Sequence, residues 1–236
     1  MIETTHNTLL QKMLLDLPGT GADFERIHIE PGPWPTDLPH HMDWAYFPDD
    51  SLVGLSPNRP AWGDATMAVV GHRGFWFPDM LTGAQLQAQV LLGGHMHRMD
   101  WSIVRRDPRR YAPWLVTAAE ASQRLIRQMT QMAFCASHHT AMQRRASWLL
   151  VCLHQAVQTS LPIRLVDTAR THCEPDDVFQ RALGVLEAHL GIWRGADLPT
   201  GLDHNGMPAS LLTLDTTQLN ELACTCHCRI NGQASA

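Results

Sequence analysis

The sequence predicts an α+β fold in three parts, and three observations predict it. The first 113 residues carry short strand-like runs broken by Pro, Gly and Asp; the centre carries one long helical pattern; the end carries two short helical patterns across a three-residue break, followed by an Asn-Gly turn. The expected parts are a small β-barrel over 1–113, a long dimerisation helix and hinge over 114–139, and a winged helix-turn-helix domain over 140–236.

Composition narrows the class. The chain has 236 residues, 44% of them hydrophobic, enough for real cores, and a net charge of −5. Lys and Arg number nine against thirteen Asp and Glu in 1–113, four against one in 114–159, and five against nine in 160–236, so only the central helices are basic. There is no run of eighteen apolar residues and no basic-then-apolar start, which predicts a soluble cytoplasmic protein with no membrane partner. Six scattered cysteines give no disulfide framework.

In chain order, Asn7-Thr8-Leu9-Leu10 through Leu17-Pro18 reads as a short amphipathic helix stopped by proline. Gly19-Thr-Gly21 lacks the strand-then-helix context of a nucleotide loop and reads as a turn. Strands are expected at Trp44–Phe47, Leu52–Leu55, Thr66–Val70 and Gln87–Leu91. His95-Met-His97 places two imidazoles on one face of a strand, a metal pair without a third ligand. Arg105-Arg106-Asp-Pro-Arg109-Arg110 reads first as a solvated connector and second as a contact for DNA phosphate or RNA polymerase.

From Pro113 onward, Leu115, Ala118, Ala119, Ser122, Leu125, Ile126, Met129, Met132, Ala133 and Ala136 recur at three- and four-residue steps. This narrow, small-residue stripe suits pairing with a second copy of the helix; packing on its own domain is the other reading. Pro113 fits a first-turn position. Thr140-Ala-Met-Gln143 has the form of a capping box, so two helices are expected, 114–137 and 141–157.

Pro162 ends the second helix. The patterns Leu165–His172 and Asp176–Leu190, separated by Cys173-Glu174-Pro175, have helix-turn-helix spacing, which would lay the second helix in a major groove. A hairpin turning at His204-Asn205-Gly206 and a closing helix over Thr217–Cys224 complete the winged order. Cys224-x-Cys226-His227-Cys228 offers good zinc ligands, but they are too crowded to close a tetrahedron alone and lack a second pair, so no metal is assigned. Oxidation of this thiol cluster is a further reading. Cys135, Cys152 and Cys173 read as small buried apolar groups.

The segments Phe134-Cys135-Ala-Ser-His-His139 and Gln143-Arg144-Arg145-Ala146-Ser147-Trp148-Leu149-Leu150 resemble the junction of dimerisation helix and DNA-binding domain in Crp/Fnr-type bacterial transcription regulators. Leu222-Ala223-Cys224-Thr-Cys226 is similar to that family's Ala-Cys-Glu-Cys ending. Trp44–Pro48, Ser51–Leu55 and Val70-Gly71-His-Arg73-Gly74 are similar to stretches of its cyclic-nucleotide-binding-like barrel. The resemblance implies a homodimeric regulator of double-stranded promoter DNA, in which an event in the barrel shifts the hinge at Ser137–Thr140 and resets the spacing of two recognition helices.

Departures from the family pattern sharpen the expectation. Residues 71–92 lack the Gly-Glu and Arg-Ser/Thr pairing that clamps a cyclic phosphate, so a cyclic nucleotide is not expected. The first cysteine is Cys135, which excludes an N-terminal iron–sulfur cluster; haem stays open and the effector and cofactor are unknown. The recognition helix starts Pro175-Asp176-Asp177-Val178-Phe179 where the family has Ser-Arg-Glu-Thr-Val, and Cys173 stands at a turn position where Gly is usual. Gln180 and Arg181 are the expected DNA contacts, Asp176 and Asp177 can accept from cytosine N4, and Arg170 and Arg194 lie near enough to reach phosphate. The alternative is a family member that has lost specific DNA binding and uses its acidic C-terminal domain to bind or sequester protein. No nucleophile–base constellation or phosphate loop is present, so no enzyme is expected.

Overall fold

Asn7 both caps the first helix and ties it to the sheet beneath. In this computed structural model, which describes residues 5–35, 38, 43–57, 66–77, 86–157 and 216–232 together with the isolated helical positions Arg181 and Val185, helix α1 spans Thr8–Asp16. The Asn7 Oδ1 accepts from the Leu10 N–H, and its Nδ2 donates to the carbonyls of Pro48 and Gly74 at 2.7 and 2.8 Å. Asp49, buried beside it, accepts from Thr5 Oγ1 at 2.8 Å and from the N–H groups of His6 and Asn7. Gly19 takes φ +91° in the turn that follows, a conformation open to glycine, and leads into a 3₁₀ turn over Thr20–Asp23.

The strands are β1 Glu25–Ile29, β2 Gly32–Pro33, β3 Trp44–Pro48, β4 Leu52–Pro57, β5 Ala68–Val70, β6 Leu86–Leu92 and β7 Gly94–Asp100. They form two antiparallel sheets, ordered β1-β7-β3 and β2-β6-β4-β5, and an isolated bridge pairs Tyr46 of β3 with Trp76, beyond the end of β5. This corrects the expected barrel: among the described residues the sheets stay separate layers. After Ile29, β2 contributes only Gly32 and Pro33 to the second sheet. The expected strand over 66–70 starts at Ala68, and β1 and β2 carried no clear alternation.

Each strand divides its side chains between two layers, as period-two geometry requires. Tyr46, Val53, Leu55, Ala68, Val70, Val90 and Met96 meet between the sheets around Trp34 and Trp76. Trp34 and Trp76 stand edge to face at 4.7 Å. Ala45, Phe47 and Met99 point out of the first sheet against α1, and Leu52, Val69 and Leu92 point out of the second against the C-terminal helices.

After α2 (Ser102–Arg106), the basic run behaves as a solvated connector: Arg105, Arg106, Arg109 and Arg110 are exposed. Arg105 pairs with Asp43, and Arg106 with Asp100 at 3.6 Å. Helix α3 then runs Ala112–His138 with a proline in its first turn, about 40 Å at 1.5 Å per residue. Trp114, Ala118 and Ala121 pack on α1 and the first sheet, and Leu125 seals the space between the sheets. The Gln128 amide, oriented with nitrogen to the Val69 carbonyl and oxygen to the Val69 N–H, bonds edge strand β5 at 3.2 and 2.8 Å. Ala118 and Leu125 therefore leave the expected dimer stripe and belong to the protein's own core. What stays exposed is Leu115, Ala119, Ile126, Ala133 and Ala136, with Ser122, Met129 and Met132 half-exposed and the two methionines also packed on the protein's own cores.

The Thr140–Gln143 capping box is complete and starts α4, Ala141–Gln155. Helix α4 is held to β5 by its C-terminal end. The Gln155 carbonyl accepts from the His72 N–H at 3.0 Å, and Gly71 passes so close that a methyl there would overlap it. Helices α5 (Thr216–Leu222) and α6 (Cys226–Asn231) close the described structure, with Leu219 fully buried under α4. The sequence reading expected a single closing helix; Cys224 and Thr225 instead form a corner between two.

The contact of α4 with the turn after β5 is expected to be acid-sensitive. Arg73 Nη1 donates to His154 Nε2 at 2.9 Å, which requires that nitrogen to be unprotonated. Burial, with Arg73 and His72 beside it, lowers His154 from 6.5 to about 4. A histidine held neutral in the fold contributes its full stability above the ordinary value and loses it as pH falls from 6.5 toward 4. Burial shifts His72 and His97 in the same direction. Urea midpoints are expected to fall between pH 7 and pH 5, and His154→Gln to reduce that fall; a midpoint flat over this range contradicts the assignment.

Candidate functional site

Two helix corners meet at one point. The first is the end of α3, where the Cys135–His139 spacing puts both residues on one helix face because i and i+4 are neighbours. His139 ends the helix in an extended conformation, φ −118° and ψ 157°, while its N–H still donates to the Cys135 carbonyl at 3.1 Å. Phe134 stacks on His138 and stands edge-on to the His139 ring at 5.9 Å, and Arg144 Nη1 donates to the His139 carbonyl at 2.8 Å. The second corner, between α5 and α6, carries Cys224 and Cys226.

The ligand atoms of Cys135, His139, Cys224 and Cys226 lie within 4.8 Å of one another. Cys135 Sγ is 3.5 Å from Cys224 Sγ, and His139 Nδ1 is 3.5 Å from Cys226 Sγ. All three thiols are buried and unbridged. Their surroundings are polar: Ser147 Oγ lies 2.9 Å from Cys224 Sγ and accepts from the Cys224 N–H at 3.0 Å, and Gln131 Nε2 donates to Cys226 Sγ at 3.0 Å. Hydrogen bonding from Cys135 holds the Cys224 thiol well below the ordinary range, and the same bond pushes Cys135 up.

The second ligand pair that Cys224-Thr-Cys226 lacks in its own stretch thus stands 89 residues earlier, in Cys135 and His139. His227 and Cys228 face elsewhere: His227 Nδ1 lies 2.6 Å from the Cys224 carbonyl and Cys228 Sγ 3.2 Å from His227 Nε2. The signal in the sequence is the Cys-x-x-x-His spacing at the end of a helix; Cys135, expected as a small buried apolar group, is buried but faces the other ligand atoms. Cys152 keeps that packing role, fully buried. Cys173 lies outside the described residues.

The other expected sites resolve as follows. His95 bonds Asp50 at 3.2 Å and meets the His28 ring at 5.0 Å, while His97 is buried, and among the described residues no third ligand joins them. Arg181 is helical and exposed. Arg170, Asp176, Asp177, Gln180 and Arg194, with the helix-turn-helix and the hairpin, lie outside the described residues. An open cleft of about 380 Å³ lies between α1, β5, α3 and α4, lined by Lys12, Arg73, Glu120, Arg124 and Gln128. Among the described residues no helix is long and apolar enough to cross a membrane.

The fold is the one shared by Crp/Fnr-family transcriptional regulators. The chain is similar to FixK2 from Bradyrhizobium japonicum, with a TM-score of 0.54 and 16% identity over 90% of this chain and 98% of that one. It is similar to a Crp-family transcriptional regulator from Thermus thermophilus, with a TM-score of 0.59 and 14% identity over 84% and 96%. A CooA mutant from Carboxydothermus hydrogenoformans gives 0.54 and 13% over 92% and 97%. At these identities the likeness is one of fold. No protein-family profile and no curated protein matches the sequence.

Proposed function

We propose that this chain is a homodimeric, DNA-binding transcriptional regulator of the Crp/Fnr type, with an effector other than a cyclic nucleotide. The observation that carries the reading is the outer face of α3. Leu115, Ala119, Ser122, Ile126, Met129, Ala133 and Ala136 follow one another at alternating steps of four and three, the 3.5-residue period of a two-helix seam. Leu115 is 38% exposed and Ile126 48%. The adjoining face of the same helix is spent on the protein's own core, so a second copy is the partner whose chemistry and period this seam fits. The dimer places two C-terminal domains side by side, as binding to paired half-sites requires.

The test is fluorescence anisotropy with labelled DNA from upstream of the chain's own gene against random DNA, across a salt series. A specific preference on the order of 100-fold with a clear salt slope is expected. Arg181→Ala is expected to cost about 1–3 kcal/mol of that binding if Arg181 reads a base, and to lower the salt slope by about one if it meets phosphate. Equal weak binding to both DNAs overturns the reading. The balance of five basic to nine acidic residues in 160–236 favours, as second reading, a dimer that binds protein through that domain; co-purification with a stoichiometric protein partner would distinguish it.

A further inference from the structure

We propose that Cys135, His139, Cys224 and Cys226 form a structural zinc site that clamps the C-terminal segment to the corner between α3 and α4. Zinc with three thiolates and one imidazole is tetrahedral, with metal–ligand distances of about 2.3 Å to sulfur and about 2.0 Å to nitrogen. Ligand atoms on such a tetrahedron stand about 3.8 Å apart for two sulfurs and about 3.5 Å for sulfur and nitrogen. The observed 3.5 Å separations of Cys135 from Cys224 and of His139 from Cys226, with the whole set inside 4.8 Å, match one ion at the centre. A disulfide would draw two sulfurs to about 2 Å, and a multinuclear iron–sulfur cluster would hold its ligands farther apart than this set.

Four protein ligands leave no open position, which makes the site structural rather than catalytic. Binding displaces the three thiol protons to solvent and leaves one net negative charge on the site. Groups that stabilise such a charge lie beside it: Gln131 Nε2 donates to Cys226 Sγ and Ser147 Oγ lies 2.9 Å from Cys224 Sγ, while the Phe134 ring stands against the His139 imidazole. The ligands come from two corners 89 residues apart. The ion therefore ties the end of α3 to the α5–α6 corner, against which α3 and α4 both pack. This site stands independently of whether the chain binds DNA.

The experiment uses the full chain, purified without chelator. Metal content by mass spectrometry is expected to give one zinc per chain. Replacement with cobalt is expected to give thiolate-to-metal charge transfer in the near ultraviolet and the intense red absorption of a tetrahedral ion. Cys135→Ser and His139→Ala are expected to lose both signals, and Cys228→Ser and His227→Ala to keep them. Should Cys135→Ser fail to fold, His139→Cys decides: a fourth thiolate keeps the ion and raises the charge-transfer intensity. A folded chain that carries no zinc and takes up no cobalt overturns the site, as does a mixture of bridged cysteines in the freshly purified protein. Loss of metal in Cys228→Ser equal to that in Cys135→Ser overturns this ligand set.

Discussion

Replacing Ile126 by glutamate is expected to turn the proposed dimer into a monomer and to abolish the proposed specific DNA binding while leaving the fold intact. Ile126 is 48% exposed in one chain and lies at the middle of the 115–136 seam, so the substitution removes nothing from the protein's own core. In a symmetric pair, however, residues near the middle of the seam face their own copies, and two carboxylates are brought together in an apolar interface. Like charges so placed cost several kcal/mol, and about 4 kcal/mol weakens a dimer on the order of 1000-fold. Sedimentation velocity reads the oligomer and circular dichroism the fold. Arg127→Glu, one residue off the seam, carries a larger charge change on the exposed flank and is expected to remain dimeric. A dimer that survives Ile126→Glu places the interface elsewhere and removes the main support for the regulator reading.

Trp114→Ala is expected to cost about 3–5 kcal/mol, a large part of the 5–15 kcal/mol typical of a whole domain. Trp114 is fully buried and touches Phe24 at 5.6 Å and Tyr111 at 4.9 Å between ring centres. Its Nε1 donates to the Met13 carbonyl at 2.7 Å near the end of α1. Truncation thus opens a cavity and leaves that carbonyl without its indole donor at the joint between α1 and α3. Urea denaturation measures the loss. Trp114→Phe keeps most of the volume but not the N–H, so its loss against the unchanged chain reports mainly the hydrogen bond, and the further loss in Trp114→Ala reports the cavity. A loss below about 1 kcal/mol for the alanine variant would mean that α1 does not depend on this contact.

Local signals were read correctly from sequence where a few adjacent residues carry the whole cause. Asn7 caps α1 because an amide oxygen can reach the N–H three residues on. Thr140 and Gln143 satisfy each other's backbone donors. Pro113 and the run to His138 define α3 to within two residues at the start and one at the end. Strands β3, β4 and β6 follow from short apolar runs, aromatic in β3 and rich in Leu and Val in β4 and β6. Neither β1, whose Glu-Arg-Ile-His-Ile alternation is half polar, nor the two-residue β2 carries such a signal.

The sequence by itself determined where these elements lie, that the centre of the chain is two basic helices, the first with an apolar stripe, and the resemblance borne by 134–150 and 222–226. The tertiary structure alone decided which stripe faces inward. Ala118 and Leu125 are interleaved with Leu115, Ala119 and Ile126 at spacings that serve a core and a dimer seam equally well, and only the sheets beneath α3 separate them. It also decided that the strands form two layers, because closure depends on strand pairing over long separations. Above all it brought Cys135 and His139 to Cys224 and Cys226: a ligand set is a matter of distances of a few ångströms, and across 89 residues those distances are set by how α4, α5 and α6 pack.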